Sequence, residues 1–302
     1  MAVWFSPDCP SANNTGLLQR LLNLGGDMLV NGHPQDSLPL ADRAIHYGDG
    51  AFETVLVSES RLVHWSRHME RLKRACDLLK IPLNAQLIEL DVRSLLKQSQ
   101  GSCIIKILVT RGAGGRGYMP PEHPLPTRIV TVHALPSEYA ELSQRGVCVV
   151  RCKHPVSENA ALAGMKHLNR LDQVLASMEL PVDCHEGLMC NSRGLLIEGT
   201  KSNVFLARSG MLITPLLDRS GVAGIQREVI LEFCAQNQLE VVDREIPFAE
   251  ALEADEIFMC NSVFGIWPVT ELRCEETVHH LSIGPFARML QNAMTELAPG
   301  HA

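Results

Sequence analysis

Lys166 stands between Met165 and His167 at the head of an apolar, helix-like run, MKHLNRLDQVLASMEL. An amine held there partly out of water gives up some of its proton affinity. Its neutral form is a base, or the partner of a carbonyl in a Schiff base. The plain alternative is an exposed lysine in a first helical turn. A second segment, Gly221 to Gln226 (GVAGIQ), is a glycine-containing turn running straight into a helix. The free N–H groups near Ile225 and Gln226 would suit a phosphate there, and an ordinary helix start fits the same residues equally well.

Other patterns fail on context. Gly112, Gly114 and Gly117 satisfy GxGxxG after a strand, but Tyr118-Met119-Pro120-Pro121 follows where a dinucleotide-binding helix would have to begin. Gly194 and Gly199 with Thr200-Lys201-Ser202 imitate a phosphate loop, yet Thr200 separates the glycine from the lysine. Ten cysteines are scattered without a CxxC pair. They read as reduced, mostly packed thiols of a cytoplasmic protein. Cys148, Cys152 and His154 come nearest to a metal cluster, but the two cysteines alternate with apolar residues in GVCVVRC as strand packing requires, so no metal site is expected.

The elements that must position these residues follow from periodicity. FETVLV and RLVHW flank Ser58-Glu59-Ser60 as a hairpin, and Trp65, Met69, Leu72, Cys76 and Leu79 recur at helical spacing. CIIKILVT and RIVTVHAL read as apolar strands around the Gly- and Pro-rich loop RGAGGRGYMPPEHPLPT. Residues 28–136 thus form one α+β unit. Residues 137–146, polar and ending in Gly, read as a linker. Beyond it, Leu168, Leu171, Leu175 and Met178 fall on one face of a helix. Hairpins are expected with turns at Asn191 to Gly194 and at Ser209-Gly210, then a helix carrying Ile225, Val229 and Phe233, and a late strand ADEIFMCN. Residues 147–302 make up a larger second domain. Residues 1–27 are read as an appendage, with Met28 as an alternative start.

The 302 residues are ample for two domains at ~150 residues each. Lys and Arg number 27 against 34 Asp and Glu, a formal charge of −7 that disfavours nucleic acid and anionic membranes. No apolar run approaches the ~20 residues of a membrane span.

Taken in order, NGHPQDSLPLADRAIHYGDGAFETVLV, HMERL, RGAGGRGY, MKHLNRLDQVLA, GLLIEGTKSNVFL, TPLLDRSGVAGIQRE and ADEIFMCNS resemble the fold-type IV pyridoxal-phosphate enzymes. That family includes branched-chain and D-amino acid aminotransferases. The resemblance begins at Met28 and runs to about the C-terminus. It implies a two-domain α+β fold like that of D-amino acid aminotransferase, with mixed sheets and flanking helices, a homodimer, and bound pyridoxal 5'-phosphate.

Carried over residue by residue, Lys166 matches the lysine that bonds the cofactor, and Glu198 in LIEGT the carboxylate beside its ring nitrogen. Arg71 in HMERL matches a phosphate-binding arginine, and Ile225 and Gln226 the backbone phosphate cup. Asn261 stands where some aminotransferases of the family carry a phosphate-binding threonine. Leu56 stands near the place where branched-chain aminotransferases tend to have an arginine, which weighs against that specificity. RGAGGRGY together with KHLNR resembles the family's lyase branch, which converts 4-amino-4-deoxychorismate to 4-aminobenzoate and pyruvate in folate synthesis. Arg116 and Tyr118 of that loop are expected to contact substrate. Two rivals remain at this point: an aminotransferase of a branched-chain or D-amino acid, and a cofactor-free module gripping an anionic or nucleic-acid partner with its Gly-Arg-Gly loop.

Overall fold

A computed structural model describes residues 28–97 and 101–297, so the appendage expected over 1–27 lies outside the described residues. The chain opens with β1 (Met28–Val30), β2 (His33–Pro34), α1 (Arg43–Tyr47), β3 (Gly50–Ser58), β4 (Arg61–Leu62), α2 (Trp65–Leu79), α3 (Ala85–Leu96), β5 (Cys103–Thr110) and β6 (Thr127–Ala134). These strands form one antiparallel sheet in the order β2-β1-β6-β5-β3-β4. Glu59 and Ser60 both take positive φ, 48° and 64°, the backbone that a two-residue hairpin turn between right-twisted strands demands. Burial alternates along β3 and β5. Val55, Val57, Ile105 and Ile107 face Leu72, Cys76, Ile88 and Val92 of α2 and α3, while Phe52 and Thr54 turn the other way, toward a cavity.

Most of the stretch expected as a linker, 137–146, is helical, α4 (Tyr139–Arg145). Its polar sequence hides an apolar face three residues apart. Leu142 is buried, and Tyr139 meets the edge of the Trp267 ring at 5.1 Å while its carbonyl accepts from Trp267 Nε1.

The remaining elements are β7 (Val147–Arg151), α5 (Leu171–Ser177), β8 (Glu186–Cys190), β9 (Leu196–Gly199), β10 (Asn203–Arg208), β11 (Met211–Pro215), α6 (Ile225–Gln236), β12 (Val241–Arg244), α7 (Ala249–Leu252), β13 (Glu256–Asn261), β14 (Gly265–Cys274), β15 (Thr277–His280) and α8 (Pro285–Leu297). Their strands form a mixed sheet in the order β12-β11-β10-β13-β14-β7-β8-β9, with β15 on β14. β10 and β13 are buried on both faces, which is why they read as continuous apolar runs. On one side the sheet packs Leu206, Met259 and Trp267 into its core. On the other, Phe205 stacks on Phe258 beneath Ile230 of α6 and Leu290 of α8.

Two expectations are corrected here. The helix after Lys166 covers only 171–177, leaving Leu168 outside it, and of the expected face Leu171 is 74% and the capping Met178 77% exposed, while Ala176 is the residue it buries. Cys148 and Cys184, expected as reduced thiols, are joined as a disulfide. Parallel pairing of β7 with β8 brings the two cysteines together, with Cα atoms 4.7 Å apart, although 36 residues separate them in the chain. The other seven described cysteines are free and buried.

Candidate active site

Between the two sheets lies a cavity of about 640 Å³. Lys166 reaches it from an extended strap, not from a first helical turn. The backbone of 164–168 hydrogen-bonds sideways to both halves of the molecule. Phe52 N donates to Lys166 O and Leu168 N to Gly50 O on β3, while Gly164 pairs with Gly221 and Ala223. These long-range bonds take N–H and C=O groups that a helix would have used, so the helix starts only at Leu171. The Lys166 ammonium lies 4.4 Å over the Phe52 ring. Loss of solvent at this depth, reinforced by Arg71 and opposed by Glu53, brings its pKa down to about 8.

Glu198 lies on β9, 3% exposed. Its oxygens are held by neutral donors, Gln173 Nε2 at 3.0 Å and Val222 N at 2.8 Å. Burial pushes its pKa up against those contacts. A buried carboxylate of this kind, lining the same cavity as Lys166, is suited to a cationic N–H on a ligand.

At the start of α6 the backbone turns in at Gly224, and no side chain caps the helix. Asn203 Nδ2 holds Val222 O at 2.9 Å, and a Cβ on Gly224 would collide with Asn203 Oδ1. Val222 and Gly224 line the cavity, and Ile225 and Gln226 follow as the buried first turn of α6, its N–H groups lacking intrahelical partners. Gln226 Nε2 is itself buried without a partner.

Arg71 also lines the cavity, but most of its guanidinium is spoken for. Nε and Nη2 grip Glu53 at 2.7 and 2.6 Å, and Nη1 donates to Ala223 O at 2.8 Å. Of its five donors, two N–H remain for a ligand. Asn261 borders the cavity with its amide occupied: Oδ1 accepts from Val263 N and Phe264 N, and Nδ2 donates to Lys201 O. Its neighbour Ser262 lines the cavity as well.

Arg116 and Tyr118 are not brought to this cavity within the chain. Their loop lies exposed, anchored by Arg43 through Gly117 O and Tyr118 O.

Sequence reasoning missed several residues. Glu53, in the quoted FETVLV, is fully buried and also accepts from His68 Nδ1 at 2.7 Å. Arg170 and Tyr139 line the cavity too. So does the turn Thr200-Lys201-Ser202, whose imitation of a phosphate loop was the only local signal. Among the described residues no group of three or more His, Cys, Asp or Glu is placed to hold a metal ion.

One elongated ligand bearing a carbonyl, a cationic ring N–H and a phosphate would thus meet an amine, a buried carboxylate and an open helix N-terminus in a single cavity. The Amino-transferase class IV family profile matches residues 50–272. The chain belongs to the class IV amino-transferase family. Within that family it is 35% identical to an aminodeoxychorismate lyase of Vibrio harveyi over 263 residues, covering 87% of this chain and 97% of the relative. A crystal structure of 4-amino-4-deoxychorismate lyase from Pseudomonas aeruginosa superposes with a TM-score of 0.83 at 37% identity, over 89% of this chain and 98% of that one. A putative branched-chain-amino-acid aminotransferase of Methanocaldococcus jannaschii is more distant, 26% identical over 85% of this chain and 89% of the relative. The fold class is therefore that of fold-type IV enzymes. Among the described residues no helix is long and apolar enough to cross a membrane.

Proposed function

We propose that this chain is a pyridoxal-phosphate-dependent lyase converting 4-amino-4-deoxychorismate to 4-aminobenzoate and pyruvate, a step of folate synthesis. The observation that carries the reading is a lysine with a pKa near 8 sharing one cavity with a buried carboxylate that only neutral donors hold. The greater similarity to the lyases than to the aminotransferase supports the choice of reaction.

Lys166 would bond the cofactor's aldehyde and Glu198 its ring nitrogen. The first turn of α6, with Ile225 and Gln226, would hold the phosphate, assisted by the two remaining N–H groups of Arg71. Asn261 would act only by shaping the turn at Ser262. The cofactor, when bound, supplies an electron sink for the charge left on a substrate carbon that loses a proton. Lys166 is the group that takes that proton, from the ring carbon bearing the amine; a pKa near 8 leaves an appreciable neutral fraction at physiological pH. The bond from the ring to the enolpyruvyl oxygen then breaks, and the departing group gains a proton and leaves as pyruvate. No atom is gained from solvent in the sum. Burial disfavours the charge on Glu198 and Val222 N and Gln173 offset that only in part, so a cationic ring N–H would be the partner that draws it to the anionic form, and Glu198 would hold that proton.

We further infer a cytoplasmic location, which the seven free, buried cysteines favour and the Cys148–Cys184 disulfide opposes, and a homodimer, its domains following the two sheets as 28–136 and 147–302. Support comes from the exposed apolar residues Leu171, Val174 and Met178, two of which also border the cavity. In such a dimer Arg116 and Tyr118 would meet the partner's substrate. Light scattering tests the dimer. Arg116→Ala should raise KM for aminodeoxychorismate with the cofactor spectrum unchanged, and an unmoved KM removes this loop from the site.

The deciding assay is formation of 4-aminobenzoate and pyruvate by the purified holoenzyme with no 2-oxoacid present. A requirement for a 2-oxoacid acceptor would make the protein an aminotransferase instead.

A further inference from the structure

We propose that Lys201 is a specificity-determining residue of this site, the fixed cation that receives a carboxylate of the substrate. The inference rests on the lyase reading above, in which the substrate carries two carboxylates.

Four cationic side chains line the cavity among the described residues: Arg71, Lys166, Arg170 and Lys201. Three are committed elsewhere. Arg71 is neutralised by Glu53 in a bidentate pair. Lys166 is the reacting amine. Arg170 points back into its own strap, with Nε on His167 O at 2.8 Å and Nη2 on Met165 O at 3.0 Å, and its charge is offset by the carboxylates of Glu198 and Asp172, which act on it against burial. Lys201 is exposed, and its Nζ donates to one neutral acceptor, His185 O, at 2.9 Å. An ammonium has three donors, and a carbonyl leaves its charge uncompensated, so it retains both the donors and the charge that a carboxylate needs.

The backbone beneath Lys201 is held in place, unlike that of an ordinary surface lysine. Glu186, fully buried, accepts from Thr200 N at 2.9 Å and from Thr200 Oγ1, and through its other oxygen from Ser202 Oγ at 2.7 Å. The residues on both sides of Lys201 are thereby tied to one buried carboxylate. Asn261 Nδ2 grips the carbonyl of Lys201 itself at 3.1 Å. Trp267, stacked on Phe264, sits 5.7 Å below the ammonium and limits where it can swing. A charge carried on so constrained a turn at the cavity lining is pre-organised to receive an anion.

The test uses the holoenzyme, with Lys201→Gln, Lys201→Glu and Lys201→Arg. Steady-state kinetics with aminodeoxychorismate are combined with inhibition by chorismate, which carries both carboxylates but no amine to react, and with titration of the cofactor onto apoprotein. Lys201→Gln should raise KM and the chorismate inhibition constant together by about 10-fold or more, the worth of one charge-assisted hydrogen bond. Lys201→Glu should raise both further, and Lys201→Arg should restore most of the loss. In all three kcat should change far less than KM, and cofactor affinity should stay at the wild-type value. Unmoved KM and inhibition constants in Lys201→Gln, a loss confined to kcat, or weakened cofactor binding would each overturn the inference. Wild-type protein that makes no 4-aminobenzoate defeats the lyase reading itself, whereas an active wild type with an unaffected Lys201→Gln defeats only the role of Lys201.

Discussion

Glu53 and Arg71 meet as a bidentate pair, at 2.7 and 2.6 Å, with their side chains only 1% and 6% exposed. Burial by itself would raise the Glu53 pKa, but the guanidinium and His68 overcome it and hold the carboxyl at about 2. An unfolded Glu53 takes up its proton near the ordinary 4.5. The pair's stabilisation is therefore fully present above that pH and is lost as pH falls toward 2. Glu53→Gln should cost about 3–5 kcal/mol, since it strands a buried Arg71. It should also remove the acid-sensitive part of the stability curve between those values, as urea unfolding from pH 2 to 6 would measure. An unchanged curve would mean that Glu53 is not the anchor of Arg71.

Lys166→Ala should abolish turnover and covalent capture of the cofactor, leaving weaker binding through the phosphate. In the wild type, the rate of covalent capture by apoprotein should rise with pH through about 8, not the usual 10.5, because only the neutral amine reacts. Stopped-flow absorbance gives the profile. Borohydride reduction and peptide mapping identify the lysine, and an adduct elsewhere refutes the assignment.

Glu198→Gln keeps the size of the side chain and removes the charge, with its one oxygen available to Val222 N and the Gln173 amide turned to accept from the new NH2. The fold should survive while kcat falls by about 100-fold or more, the usual loss when a preorganised electrostatic contact to the reacting system goes. A variant with near wild-type turnover and a normal cofactor spectrum would exclude Glu198 as the partner of the ring nitrogen.

At Gly224 the decisive quantity is space. Gly224→Ala drives a methyl into Asn203 Oδ1 and must displace the side chain that holds Val222 O. Overpacking of this kind costs about 1–3 kcal/mol, and here it falls on the cradle, so cofactor affinity should drop by about 10- to 100-fold. Equilibrium titration of apoprotein with pyridoxal phosphate checks it. Unchanged affinity would move the phosphate away from this helix.

Local patterning determined much of this protein. Runs at helical spacing forecast α2 and α6, and apolar runs beside turn residues forecast β3, β5 and β6, because those segments bury a face or a whole strand that their own composition declares. Ser209-Gly210 forecast its hairpin because a glycine suits a left-handed turn, whereas Ser58-Glu59-Ser60 was legible only from the strands on either side, and the structure puts the positive φ values on Glu59 and Ser60. Lys166 was singled out by the resemblance of MKHLNR to the fold-type IV enzymes, since its residues alone fit an exposed first-turn lysine as well.

What only the tertiary structure decided are the matters of partner choice. The segment at 164–168 is a strap whose backbone groups are paired with β3 and with the loop at 221–223 and not with one another. Leu171 and Met178 have helical spacing without a face of this chain to cover them. Cys148 and Cys184 pair because two parallel strands bring them together. Arg71 spends its charge on Glu53, and Lys166 gives up part of its proton affinity to burial and to the Arg71 guanidinium. Spacing along the chain records which residues can share a face, but not which charge from a distant element will occupy the same few ångströms, and in this site that second fact sets the chemistry.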